Sequence, residues 1–177
     1  MAEKPLVIFD LDGTLIWATS LQTKNPDFTI HVYGETWSVQ KRPGLDAFIQ
    51  WCRQHFRMAV WTAAQPTYAY AITETIFKGI ELEFIFTRQH TMIQTFDLGR
   101  DTVTRKPLLK VWALPFRWFH HQNTRIIDDT PETYAFNPEN AIPIATWMTD
   151  PADVELIRVQ LELEAWLETL DRGQESF

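Results

Sequence analysis

Three apolar runs, each ending in an acid or a threonine, set the frame of this chain. They are "PLVIFD" (5–10), "FRMAVWT" (56–62) and "TRIIDD" (124–129). Their apolar residues are continuous rather than alternating, which predicts strands buried on both faces. Between them the period lengthens. "RPGLDAFIQWCRQH" places Leu45, Phe48, Ile49 and Cys52 at helical spacing behind Pro43, and "PTYAYAITETIF" is a second helix with Pro66 in its first turn. "LEFIFTRQ" and "AIPIATW" predict further short strands and "PLLKVWAL" a short helix. The stretch "DPADVELIRVQLELEAWLETL" predicts a closing helix capped by Asp150, with Pro151 at its first position. Strands alternating with helices imply an α/β fold built on a mainly parallel sheet covered on both faces.

Two polar, β-prone stretches interrupt that alternation. "FTIHVYGETWSVQ" (28–40) predicts a hairpin around Gly34-Glu35, and Gln89 to Thr104 predicts a small hairpin insertion around "DLGRD". Neither is long enough to supply a large cap.

The polar ends of the apolar runs carry the chemistry. Asp10 and Asp12 stand at the end of the first strand, Thr62 at the end of the second, and Asp128 and Asp129 at the end of a later one. Right-handed crossovers keep such strands parallel, so their C-terminal ends share the edge where α/β proteins bind ligands. Each residue alone is ordinary: Asp-x-Asp is commonly a solvated turn, and Asp128-Asp129 before Thr-Pro could cap one. Together they put four carboxylates in one crevice. Mutual repulsion then calls for a hard divalent cation, and Mg²⁺ prefers oxygen donors of this kind. Gly13 permits a sharp turn whose N–H groups could face an anion, and Lys106 could add a fixed positive charge.

Composition narrows the partners. The 177 residues fit one domain, read as spanning 1–177, with 45% hydrophobic and 14% aromatic residues to fill a core. A formal charge of −7 argues against a broad face for long nucleic acid. The single cysteine, Cys52, can form no intrachain disulfide, which suits a reducing compartment. The first apolar run is too short for a signal peptide, and none approaches the ~20 residues of a spanning helix. The expected location is therefore the cytoplasm or the nucleus, away from the membrane.

"DLDGTL" resembles the first motif of the haloacid dehalogenase-like superfamily. "KRPGLDAFI", "AVWTAAQPTYAYAI", "RIIDDTPETYAFNPENAIPI" and "DPADVELI" resemble its branch of C-terminal-domain phosphatases and NLI-interacting-factor-like proteins. The likeness implies a Rossmann-like, doubly wound fold without a large cap. It also implies Mg²⁺ dependence and hydrolysis of phosphomonoesters through an aspartyl-phosphate. Carried over residue by residue, it makes Asp10 the nucleophile and a metal ligand. Asp12 becomes the general acid and then base, its backbone carbonyl on the metal. Thr62 and Lys106 hold phosphoryl oxygens, Thr14 braces the first loop at the phosphate site, and Asp129 completes the metal site with Asp128 beside it.

Gly13 stands where the C-terminal-domain branch often has Glu, and Asp128-Asp129 where many small members have Asp-Asn. These departures leave the chemistry in place and leave the substrate open. The expected substrate is a phosphoprotein or a small phosphomonoester. A nucleotide or polynucleotide-end phosphatase, and a non-catalytic peptide-binding module on the same fold, are the alternatives.

Overall fold

A computed structural model of the chain describes residues 4–96, 101–115 and 118–174. Five parallel strands form its central sheet: β1 (Leu6–Phe9), β5 (Arg57–Trp61), β6 (Ile85–Phe86), β9 (Thr124–Asp128) and β10 (Ala141–Pro143). Their spatial order is β10-β9-β1-β5-β6. The chain therefore winds outward from β1 through β5 and β6, then returns to the other side of β1 for β9 and β10. The winding reverses between β1 and β9, the point at which α/β sheets generally bind ligands.

The unbroken apolar runs are explained by two-sided burial. Along β1, Val7 and Phe9 join one core while Leu6 and Ile8 join another; Met58 and Val60 alternate with Ala59 and Trp61 in the same way along β5. The larger core lies under α1 (Leu45–His55), α2 (Pro66–Ile76) and α4 (Glu155–Gln174), through Phe48, Ile49, Ile72, Val159 and Leu163. The smaller one lies under α3 (Leu109–Trp112) and adjoining loops, through Leu108, Val111, Phe119 and Tyr134.

The first polar stretch is a three-stranded antiparallel sheet. β3 (Phe28–Val32) and β4 (Glu35–Lys41) make the expected hairpin, but its two-residue turn is Tyr33-Gly34, one residue earlier than the sequence suggested. Both turn residues have positive φ, 56° and 79°, as a turn matching the strand twist requires. The third strand, β2 (Ile16–Thr19), pairs with β4 and was not foreseen; its four residues give no alternation to detect. The second polar stretch is the hairpin of β7 (Met92–Phe96) and β8 (Asp101–Arg105), and its expected turn "DLGR" falls outside the described residues.

The closing helix begins later than its local signals indicate. Instead of capping a helix, Asp150 accepts the Ala152 N–H at 2.9 Å in a tight turn. Asp153 accepts the Glu155 N–H at 3.1 Å, and the helix starts at Glu155. The run "LEFIFTRQ" yields only the two-residue edge strand β6, followed by a short 3₁₀ turn that Thr87 and His90 cap reciprocally.

Candidate active site

Asp10 directly follows β1 and Asp128 ends β9, on adjacent strands at the winding reversal. Lys106, directly after β8, reaches between them. Its Nζ donates to Asp10 Oδ1 at 2.6 Å and to Asp128 Oδ2 at 2.5 Å. All three residues are buried, with Lys106 only 2% exposed. One ammonium thus serves two acids, and with both of them ionised the trio would carry a net negative charge out of water.

Burial governs the titration, and the shortage of positive charge adds to it. Burial pushes the Asp10 carboxyl up to about 8; Lys106 opposes the shift, and nearby Asp128 and Asp12 add to it. Burial alone would lower Lys106, but its two carboxylate partners outweigh it and hold the ammonium above its ordinary range. The two directions are compatible. Lys106 stays charged and neutralises one acid, so the remaining acid needs either a proton or another cation.

Asp129 completes the cluster. One carboxylate oxygen from each of Asp10, Asp128 and Asp129 lies within 4.8 Å of the others. Three hydroxyls orient Asp129: Thr146 donates to Oδ2 at 2.7 Å, while Thr14 and Thr130 each donate to Oδ1 at 3.4 Å. Asp128 Oδ1 accepts the Thr130 N–H at 2.9 Å. Gly13 is required beside this carboxylate. Its φ is +78°, and a Cβ there would stand 2.6 Å from Asp129 Oδ2 and 3.1 Å from the Thr146 methyl.

Asp12 is exposed as a residue, although protein surrounds much of its carboxylate. Tyr68, from the first turn of α2, donates its O–H to Asp12 Oδ1 at 2.5 Å. Burial raises the Asp12 pKa against the opposing pull of that bond and of Lys106. Burial, then the charge of Asp12, also hold the Tyr68 hydroxyl far above its ordinary range, so it remains a donor. Thr62, buried just past β5, accepts the Ala64 N–H at 3.1 Å, which leaves its own O–H to donate.

Arg42 holds the loop after β1 from behind. It is 1% exposed and uses all five N–H donors. Two go to Asp153, from Nε to Oδ1 and from Nη2 to Oδ2, both at 2.7 Å. The others go to the carbonyls of Gly13 (3.3 Å), Thr14 (3.0 Å) and Ala145 (2.8 Å). The guanidinium holds Asp153 below the usual carboxylate range, with burial opposing.

Of the residues singled out in the sequence, Asp10, Asp12, Thr14, Lys106, Asp128 and Asp129 are linked in one cluster, and Thr62 stands at the same end of the adjacent strand β5. Sequence reasoning missed Tyr68, Arg42, Asp153 and Thr146. Tyr68 shares helical spacing with the core residues Ala69 and Ile72, and so reads as packing. Arg42 is signalled only by its place in "KRPG". Tyr33 is 60% exposed at the hairpin turn, while Trp37 packs edge-on against Tyr68. His120 and His121 are exposed in a loop.

A family model described as "NLI interacting factor-like phosphatase" matches residues 5–173. The chain belongs to this family. It is 30% identical to CTD small phosphatase-like protein 1 of Caenorhabditis elegans, over 92% of this chain and 32% of that one. It is also 30% identical to the human carboxy-terminal domain RNA polymerase II polypeptide A small phosphatase 2, over 86% of this chain and 54% of that one. With CTD nuclear envelope phosphatase 1 of Xenopus laevis it shares 29% identity, over 96% and 70%. The chain thus spans about a third to a half of the nematode and human relatives. Among solved structures, the fission yeast RNA polymerase II CTD phosphatase Fcp1 bound to beryllium fluoride superposes with a TM-score of 0.60. That match has 18% identity and covers 81% of this chain and 42% of Fcp1, so the two share the fold, HAD-like and mainly parallel. No helix among the described residues is long and apolar enough to cross a membrane.

Two stability tests follow from the loop's supports. Arg42→Met leaves Asp153 and three carbonyls without their donor, and should lower the unfolding free energy by about 3–5 kcal/mol in urea titrations. Because Asp153 is depressed when folded, the pair's contribution is complete above the unfolded carboxylate pKa of about 3.9 and disappears as pH falls through the lower folded value. Asp153→Asn should flatten that acid limb. Gly13→Ala should cost about 1–2 kcal/mol for its left-handed backbone in either background, plus a contact cost that Asp129→Ala relieves. A double-mutant cycle measures that coupling.

Proposed function

We propose that this chain is a Mg²⁺-dependent phosphatase that hydrolyses phosphomonoesters of proteins through an aspartyl-phosphate on Asp10. The observation that carries this reading is the cluster in which Asp10 and Asp128 share Lys106 beside Asp129. Three oxygen donors with too little positive charge among them suit a hard divalent ion. Asp10, Asp128 and Asp129 would hold it, together with the Asp12 backbone carbonyl. Bound there, Mg²⁺ would neutralise charge between carboxylate and phosphoryl group and act as a Lewis acid toward phosphoryl oxygen.

The chain's own residues supply the remaining steps. An Asp10 carboxylate oxygen attacks phosphorus while the bond to the leaving oxygen breaks, and Asp12 gives that oxygen its proton. A water then attacks the phosphorus of the aspartyl-phosphate. Asp12, now a carboxylate, takes the water's proton; the bond from Asp10 oxygen to phosphorus breaks, releasing inorganic phosphate and restoring Asp10. Lys106 and the Thr62 hydroxyl hold the non-bridging oxygens in both steps. Thr14, turned to Asp129, braces the loop that carries both acids.

A protein substrate is favoured by the exposure of Asp12, and by the relatives, which are named as phosphatases of the RNA polymerase II C-terminal domain. Relatives named for the nuclear envelope favour a nuclear or nuclear-envelope location over the cytoplasm.

With an aryl phosphate and Mg²⁺, Asp10→Asn and Asp12→Asn should each lower turnover at least about 100-fold. Undiminished turnover in both variants would overturn the mechanism. Metal binding should also be linked to protons. Below about 8 Asp10 holds a proton that the cation must displace, so Mg²⁺ affinity should fall by up to about tenfold per pH unit on acidification. Calorimetry in buffers of different ionisation enthalpy measures the proton released.

A further inference from the structure

Asp12 has a difficult task in this mechanism. It is exposed as a residue, yet it must present a proton to one leaving oxygen and later remove one from a water. Its two carboxylate oxygens are chemically equivalent until a neighbour distinguishes them. The structure supplies one fixed partner, the Tyr68 hydroxyl, at 2.5 Å from Oδ1.

Tyr68 is well suited to impose an orientation. It is 7% exposed, and it lies in the first turn of α2, behind a Pro66 that starts the helix just beyond Thr62. Trp37 of β4 meets its ring edge-on, with centroids 5.6 Å apart and planes at 71°. The ring is therefore gripped between the helix and the small antiparallel sheet, with its hydroxyl on Asp12. A donor fixed on Oδ1 leaves Oδ2 as the oxygen that carries the exchangeable proton.

We infer that Tyr68 is a positioning residue for Asp12: its hydroxyl locks Oδ1 so that Oδ2 faces the leaving group and then the attacking water. This rests on the assignment of Asp12 as the acid and base. The bland alternative is that a buried tyrosine has found a convenient acceptor, which would make the bond a matter of stability alone. The two differ in how the loss should depend on the leaving group. An alkoxide must be protonated as it departs, whereas a strongly acidic phenolate departs without help. A structural defect lowers activity on both alike. A misaligned acid lowers kcat/KM, which reports steps through the first phosphoryl transfer, mainly where the proton is needed.

The test compares O-phosphoserine and dinitrophenyl phosphate as substrates of the wild-type chain, Tyr68→Phe and Asp12→Asn, all with Mg²⁺. Phenylalanine keeps the ring between α2 and Trp37 and removes only the donor. Tyr68→Phe should lower kcat/KM on O-phosphoserine by about tenfold or more, part of the range for general acid catalysis, and on dinitrophenyl phosphate by less than about threefold. The ratio of the two values within one preparation is unaffected by any loss of folded protein. If Asp12→Asn changes that ratio and Tyr68→Phe leaves it at the wild-type value, the positioning role is overturned while Asp12 keeps its own. If neither variant changes it, Asp12 is not the acid, and the inference falls with that assignment.

Discussion

A single buried ammonium between two buried carboxylates is the interaction on which the rest of this structure depends. Lys106 cannot neutralise both Asp10 and Asp128, so the strand ends meet under a charge deficit that burial makes severe. Such a deficit is tolerable only where the backbone is over-determined. That condition is met by placing the acids on neighbouring parallel strands, buried on both faces and locked by the alternation of Val7 and Phe9 against Leu6 and Ile8. The sheet is thus the price of the site, in the sense that its rigidity holds repelling charges together.

The two departures from the related phosphatases meet in space. Gly13, where a longer residue is common, lies against Asp129, where many small members carry an amide. A Cβ at residue 13 would press on the very oxygen that Thr146 binds. The bare backbone at Gly13 lets this acid sit close, and the carbonyl on the far side of the same residue is gripped by Arg42. Arg42 and Asp129 therefore hold the turn from opposite sides, one through backbone and one through side chain.

The sequence made the strands and the acidic tips legible because both are local signals: an unbroken apolar run and the polar residue that ends it. Thr62, Asp128 and Asp129 were found in this way, through topology. Partnerships formed by side chains across long separations were not legible. Nothing near Tyr68 announces that its hydroxyl meets a carboxylate 56 residues earlier, and nothing near Arg42 announces Asp153. The later start of α4 has the same origin. Asp150 and Pro151 are good local helix signals, but Asp153 is held by Arg42 and takes over the N–H that opens the helix. Short β2 escaped because its pairing with β4 is decided by the neighbour rather than by its own four residues.

The span of Arg42's partners has a consequence for biosynthesis. Its five donors reach from Gly13 to Asp153, so an emerging polypeptide exposes both acids of the first motif long before the group that anchors their turn can be satisfied. Lys106 follows β8, but Asp128, Asp129 and the Asp153 that pairs with Arg42 come only with β9 and the segment after β10. The centre is thus complete only when pieces made early and pieces made late are both present.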